Sequence, residues 1–172
     1  LHVINAARSI CSDIIVVVGH RGEDVKAVFG NSVVYAEQHE QLGTAHAVLQ
    51  AEPLLPDAGT VLVLCGDTPL LTPEALQQLY AVHRNAAAAA TVLTATVPNP
   101  FGYGRIVRGP GGEIEKIVEE KDATAAEKLL AEINTGTYAF DVRALREGLA
   151  GVKNANAAGE YYLTDCIELI MK

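Results

Sequence analysis

No apolar run in this chain is long enough to span a membrane; Ile14–Gly19 and Val61–Cys65 have only the length of strands. No heptad repeat and no compositional extreme appears, which excludes a coiled coil, a collagen-like fibre and a disordered tail. Cysteine is sparse. Cys11, Cys65 and Cys166 fall at no metal-ligand spacing, and an odd number without a signal peptide points to a reducing cytoplasm rather than a disulfide scaffold. Basic residues are outnumbered, 13 Lys+Arg against 21 Asp+Glu for a net charge of −8, so there is no basic face of the kind a general nucleic-acid binder needs. A nucleotide site is compatible with that balance, because backbone N–H groups, one Lys and a metal ion override the net field locally. There is no Gly-x-Ser-x-Gly elbow, no Walker loop and no Gly-x-Gly-x-x-Gly after a strand, and no pair among the five histidines is spaced like a zinc site. Covalent hydrolase chemistry therefore has no support.

What is present is 172 residues with 49% hydrophobic content, enough for one globular domain with a proper core and no linker that would divide it. Leu1, Ile4, Ala7, Ile10 and Cys11 lie at helical spacing, so the chain opens inside a helix, without Met, and is expected to be a piece of a longer protein. Ile14–Val18 reads as a strand buried on both faces, Gly22–Phe29 as a helix capped by Gly30, and Val33–Ala36 as a second strand. Thr44 is expected to cap a helix over Ala45–Leu55; Thr60–Cys65 is a strand, and Pro73 starts a helix running to about Ala87. Ala88–Val97 turns to β-branched residues and is expected to be a strand. After Pro98-Asn99-Pro100 a hairpin follows, Arg105–Val107 and Glu113–Val118 around Gly109-Pro110-Gly111-Gly112. Then come a helix over Thr124–Ala131, a strand over Ile133–Phe140, a helix over Val142–Leu149, the loop Gly151–Gly159 and a last helix over Thr164–Met171. The alternation predicts an α/β fold: a mostly parallel sheet with helices on both faces, joined by right-handed crossovers, with the hairpin inserted. Ligands in such a sheet bind beyond the carboxyl ends of the strands, where Glu37–Gly43, Gly66–Leu71, Pro98–Gly104 and Asn134–Gly136 carry the unusual residues.

Each of those residues has two readings. Asp67, after Cys65-Gly66 at a strand's end, suits a hard divalent metal beside a phosphate, or is an ordinary Gly-Asp turn. The amide of Gln38 has the donors and acceptor to read a pyrimidine edge. Gly43 lets a base or sugar pack onto backbone, and Thr44 offers a hydroxyl; alternatively the stretch is a helix start preceded by solvated polar residues. His46 lies three residues after Gly43. Gly104 offers an N–H with Tyr103 closing over it, or is a flexible turn. Glu119 accepts from sugar hydroxyls, or belongs to an exposed charge cluster. Asn134, in an apolar strand, needs a partner for its buried amide, structural or ligand.

Together the segments resemble the sugar-nucleotide pyrophosphorylases, and most closely the N-terminal uridylyltransferase domain of the bacterial bifunctional enzymes that make UDP-N-acetylglucosamine. The matching stretches, in family order, are Gln38–Ala47, Cys65–Leu70, Gly102–Ile106, Ile117–Ala123, Ile133–Gly136 and Gly159–Asp165. The resemblance implies a Rossmann-like nucleotidyltransferase fold. It implies that Gln38, Gly43 and Thr44 hold uracil, that Cys65, Gly66 and Asp67 meet the nucleotide with Asp67 as the catalytic Mg²⁺ ligand, and that Gly104, Glu119 and Asn134 contact N-acetylglucosamine. Lys121 and Thr164 fall in matching motifs nearby.

The implied partners are UTP, N-acetylglucosamine 1-phosphate, UDP-N-acetylglucosamine and pyrophosphate, in cytoplasmic synthesis of peptidoglycan and lipopolysaccharide precursors, with no nucleic acid. The family's opening strand and its loop Leu-x-x-Gly-x-Gly-Thr-Arg-Met with a following Lys are not among these residues. Neither are its second metal-binding Asn and its acetyltransferase domain, through which a homo-oligomer would form. The expectation is thus a domain truncated at both ends, inactive alone and poorly stable because its sheet has exposed edges. Two other readings stand beside it: a sugar-1-phosphate nucleotidyltransferase of other base or sugar specificity, and a non-catalytic nucleotide-sugar-binding module.

Overall fold

The computed structural model describes residues 1–171. The chain runs through α1 (His2–Ala7), β1 (Ile15–Val18), α2 (Gly22–Phe29), β2 (Val34–Glu37), α3 (Thr44–Ala51), β3 (Thr60–Val63) and α4 (Pro73–Ala86). It continues through β4 (Ala90–Thr96), β5 (Arg105–Arg108), β6 (Ile114–Val118), β7 (Glu132–Asp141), α5 (Val142–Gly151) and α6 (Leu163–Ile170). The best-marked boundaries are chemical ones. Thr72 accepts from Ala75 N–H ahead of Pro73 to start α4, and Asp141 accepts from the N–H groups of Arg143 and Ala144 to start α5.

The fold is α/β as expected, but its sheet is not mostly parallel. Among the described residues only β1 and β2 pair in parallel, as a two-stranded unit. The other sheet has the order β3-β7-β5-β6, with β4 also on β7, and every pairing in it is antiparallel. The reason lies in the inserted hairpin. β3 and β4, joined through α4, do run in the same direction, as a helical crossover requires, but they flank β7 instead of each other. The chain reverses through β5 and β6, so β7 returns between them pointing the opposite way. Among the described residues β1 has a strand on one edge only, and Ile15, Val16 and Val17 are half-buried rather than covered on both faces.

Two helices also differ. Thr124–Ala131 holds only a 3₁₀ turn, Glu127–Leu129, whose start is closed by Glu127 accepting from both the N–H and the hydroxyl of Thr124. Leu129 and Leu130 are exposed, so no buried face sustains a longer helix before Ala131 accepts from Val97 N–H beside β7. α3 begins at Thr44 with Gly43 as its cap and ends at Ala51, passing into a 3₁₀ turn at Glu52–Leu54.

The core lies between β5, β6 and β7 and the helices α5 and α6: Ile106, Ile117, Tyr138 and Phe140 pack with Leu145, Leu149, Leu163 and Ile167. At 10 residues, β7 is the longest strand and the member that unites this sheet. α4 is joined to β4 through His83, a buried ring whose Nδ1 lies 3.0 Å from the Thr91 hydroxyl. Burial holds the His83 imidazole below its ordinary pKa, with Arg84 pushing the same way and Asp141 opposing.

A folded-state pKa below the unfolded value means that the unfolded chain binds the proton first. This contribution to stability is intact above the ordinary histidine range and is lost as pH falls through it. The melting temperature is therefore expected to drop between about pH 7 and pH 5.5, and His83→Gln to flatten that part of the curve. An unchanged slope in the variant would show that other groups carry it.

Candidate active site

The site residues gather where β7 changes neighbours. One edge of β7 pairs with β4 along its length; the other meets β5 at Ile133, opposite Arg105, and β3 from Tyr138, opposite Val63, onwards. Between these two partners the register slips: Leu93 faces Thr137 while Thr94 faces Asn134, so Thr135 and Gly136 bulge out. The bulge is held by the Thr135 hydroxyl donating to Leu93 O at 2.6 Å and by Gly136 N–H donating to Asn134 Oδ1 at 3.1 Å. Gly136 has φ +72°, and a Cβ there would sit 2.7 Å from Cys65 Sγ. The Cys65 thiol donates to Gly136 O at 3.4 Å, and Asn134 N–H donates to Gly104 O at 2.9 Å. The chain leaving β3 and the chain entering β5 are thus both fastened to the bulge.

Gly104, Glu119 and Asn134 form one cluster there. Gly104 is buried, with the Glu119 carboxylate 3.3–3.4 Å and Asn134 Cβ 3.5 Å from where its side chain would begin. Glu119 is not part of an exposed charge run: it is half-buried and accepts from the hydroxyl of Thr164, itself buried, at 3.1 Å. Burial raises its pKa, the Thr164 bond pulls it back, and the carboxylates of Asp165, Asp122 and Glu160 raise it further. Beside it opens a cavity of about 200 Å³ lined by Glu119, Asp122, Thr164, Asp165 and Glu168.

Asn134 donates from Nδ2 to the buried Tyr138 hydroxyl at 2.6 Å. Sequence reasoning passed over Tyr138, because an aromatic in an apolar strand reads as core. Its one signal is the spacing of four residues from Asn134. Arg105 and Glu120 fall inside the matching stretches but carry no role of their own in the sequence. The buried Arg105 guanidinium pairs with Glu120 at 2.6 Å and donates to Tyr103 O, while Gly102 N–H donates to Glu120 at 3.2 Å. That pair fixes the loop carrying Gly104 and holds the Glu120 carboxyl below its usual range. Tyr103 is half-exposed, and Lys121 is exposed, making no hydrogen bond or ion pair among the described residues.

β3 ends at Val63, two residues short of the expected strand, because Cys65 is drawn to the bulge. The Thr68 hydroxyl donates to Cys65 O at 2.8 Å, closing a turn that leaves Gly66 and Asp67 exposed. Burial, followed by the charges of Asp67 and Glu119, pushes the Cys65 thiol up. Asp67 has no hydrogen bond or ion pair among the described residues, and these contain no group of three His, Cys, Asp or Glu side chains able to hold a metal. A single unengaged carboxylate does not cage an ion. It does fit Mg²⁺, which keeps several waters and takes its other oxygens from a substrate's phosphates.

Gln38, Gly43 and Thr44 form a second group. The Gln38 amide donates from Nε2 to Gly43 O at 3.1 Å and meets His46 Nδ1 at 3.0 Å. Gly43 has φ +110°, and a Cβ there would collide with the backbone of Tyr161, 2.5 Å from its O and 2.8 Å from its N. The chain's own backbone is enough to require glycine at this position. Tyr161 N–H donates to Leu42 O at 2.7 Å, Ala45 N–H donates to Tyr161 O at 2.9 Å, and Leu163 N–H donates to the Thr44 hydroxyl at 2.9 Å. Thr44 therefore receives the start of α6 instead of capping α3. Residues 161–164 tie the two groups together, with Tyr161 against Gly43 at one end and Thr164 on Glu119 at the other.

A family profile described as nucleotidyl transferase matches residues 4–172. The chain is 50% identical over 171 residues to the Bifunctional protein GlmU of Bacillus licheniformis, covering 98% of this chain and 38% of that protein. It is 58% identical over 156 residues to the Bifunctional protein GlmU of Exiguobacterium sibiricum, covering 90% of this chain and 35% of that one. The chain thus spans little more than a third of the length of these curated relatives. A crystal structure of UDP-glucose pyrophosphorylase complexed with UDP-glucose superposes with a TM-score of 0.76 at 17% identity, over 97% of this chain and 72% of the other, a likeness of fold alone.

Two outcomes follow from the geometry. Gly136→Ala, strained in φ and pressed against Cys65, should lose about 2 kcal/mol of stability, read as a lower urea midpoint; an unchanged midpoint would mean the bulge tolerates a side chain. Thr164→Val removes the bond that favours ionised Glu119, so the carboxyl, followed by ¹³C NMR, should titrate at higher pH than in the wild type.

Proposed function

The chain belongs to the nucleotidyl transferase family, and we propose that it transfers the uridylyl group of UTP to N-acetylglucosamine 1-phosphate, forming UDP-N-acetylglucosamine and pyrophosphate. The observation that carries this reading is the convergence of Cys65, Gly104, Glu119 and Asn134 on the β7 bulge, with residues 161–164 joining them to Gln38, Gly43 and Thr44. The relatives at 50% and 58% identity, both called Bifunctional protein GlmU, support uridine and an acetylated amino sugar over another base or sugar. They also favour an enzyme over a binding module. The reaction is cytoplasmic in this proposal and supplies cell-envelope precursors.

In this proposal Gln38, Gly43 and Thr44 seat the uracil, and Cys65-Gly66 line the approach of the nucleotide. Gly104 offers its backbone to the sugar, Glu119 accepts from sugar hydroxyls, and Asn134 is oriented by Tyr138 to meet the same moiety. Glu119 is shielded from water, which strengthens each bond it makes to a hydroxyl. Asp67 would hold Mg²⁺, which when bound neutralises charge on the phosphate oxygens. The attacking group is a phosphate oxygen of the sugar phosphate, already an anion. It forms a bond to the α-phosphorus as the bond to pyrophosphate breaks, and no proton need be removed. This chain's residues accordingly position and orient. Such a transfer needs neither a triad nor an acid–base pair.

Asp67→Ala tests the assignment in the full gene product that carries these residues. Because Asp67 is exposed and unengaged, the melting temperature should not move, while turnover at saturating UTP, sugar phosphate and Mg²⁺ should fall about 100-fold or more. Turnover close to wild type would remove Asp67 from the mechanism, and release of pyrophosphate from CTP or dTTP as readily as from UTP would remove the uridine assignment.

A further inference from the structure

The base-side group contains a residue that neither the motif reading nor the proposed mechanism uses. His46, on the first turns of α3, is half-buried, its ring centroid 6.4 Å from that of Tyr161. Its Nδ1 is 3.0 Å from Gln38 Nε2, and the same Nε2 donates to Gly43 O at 3.1 Å. A Gln amide nitrogen has two hydrogens, so two acceptors use both. The Gly43 carbonyl decides which end of the amide faces α3, since reversing it would set Gln38 Oε1 against another carbonyl oxygen. Nδ1 must then carry the lone pair and Nε2 the proton. Gln50 lies on the other side, with its Nε2 3.3 Å from His46 Nε2 and 3.1 Å from His46 O. A neutral imidazole accepts at one nitrogen only, and the shorter contact, 3.0 Å to Gln38 against 3.3 Å to Gln50, assigns that lone pair to Nδ1.

We propose that His46 is a positioning residue for base selection: it and the Gly43 carbonyl occupy both Gln38 amide hydrogens, leaving Oε1 as the only group Gln38 can offer a ligand. This rests on the reading that Gln38 meets uracil. Uracil has a single donor on its pairing edge, N3–H, between two carbonyl oxygens, so the contact is N3–H donating to Oε1. Cytosine carries a lone pair at N3 and is repelled there. Without the Nδ1 acceptor one Gln38 hydrogen is released, the amide turns over more readily, and a donor faces the base.

The test uses the full gene product with UTP and CTP as alternative substrates, comparing wild type, His46→Phe and His46→Asn, whose Oδ1 stands where Nδ1 does. His46→Phe should raise KM for UTP and narrow the UTP-to-CTP ratio of kcat/KM by about tenfold, the size of one hydrogen bond, with kcat nearly unchanged. His46→Asn should restore most of the preference. An undiminished ratio in His46→Phe, or His46→Asn as impaired as His46→Phe, overturns the role of His46 and leaves the uridine reading intact. A wild type that does not prefer UTP overturns the uridine reading itself, and this role with it. Independently of how the variants fold, ¹⁵N spectra of the wild-type His46 ring should show Nδ1 unprotonated at neutral pH; a proton on Nδ1 overturns the proposal.

Discussion

Two strands compete for one edge of β7, and neither takes all of it. β5 holds that edge at Ile133 and β3 holds it from Tyr138, while the residues between are left to a bulge. Unpaired backbone at such a place must find other partners. Here it finds Cys65, two residues past the end of β3, and Gly104, the last before β5. A strand interruption thus becomes the point at which three separate loops meet. The geometry depends on Gly136, because its positive φ and the nearness of Cys65 leave no room for a side chain.

The second constraint is a bracket. Tyr161, Leu163 and Thr164 bond in turn to the neighbours of Gly43, to Thr44 and to Glu119. A shift of α6 would therefore move both groups at once. The core sits directly behind it, with Leu163, Cys166 and Ile167 packed against Ile117, Leu145 and Leu149. Close packing on that side resists small displacements, so precision at the site is inherited from apolar burial rather than from the polar bonds alone.

Carboxylates dominate the site's electrostatics, as they do the whole chain. Glu119, Asp122, Asp165 and Glu168 border one cavity, and burial holds Glu119 and Asp165 above the usual carboxylate range. Asp67 stands apart from them, exposed and without a partner among the described residues. Carboxylates that are shielded suit neutral hydroxyls, whereas an exposed one suits a hydrated cation. The chain is negative overall, so which carboxylate stays exposed and which are shielded is the central electrostatic feature of the site.

Much of this was legible in the residues themselves. β-branched runs located β1 and β3, Pro73 and Gly30 marked helix ends that the structure keeps, and six motifs in order identified the family. Those features are local, or consist of residue types in fixed succession, and need no knowledge of what lies across the fold. Strand direction escaped because pairing is settled by where a strand returns, and an inserted hairpin reverses the chain without altering its local pattern. Thr44 looked like a cap until α6 arrived to use its hydroxyl, and the need for glycine at 43 came from Tyr161, a contact no local pattern announces. Arg105 and His46 carried no signal of their own, and Tyr138 only its spacing from Asn134, since each acts through a partner that folding brings near. Residue type and order determined the family and the candidate site, and long-range contact alone decided which side chains hold the others in place.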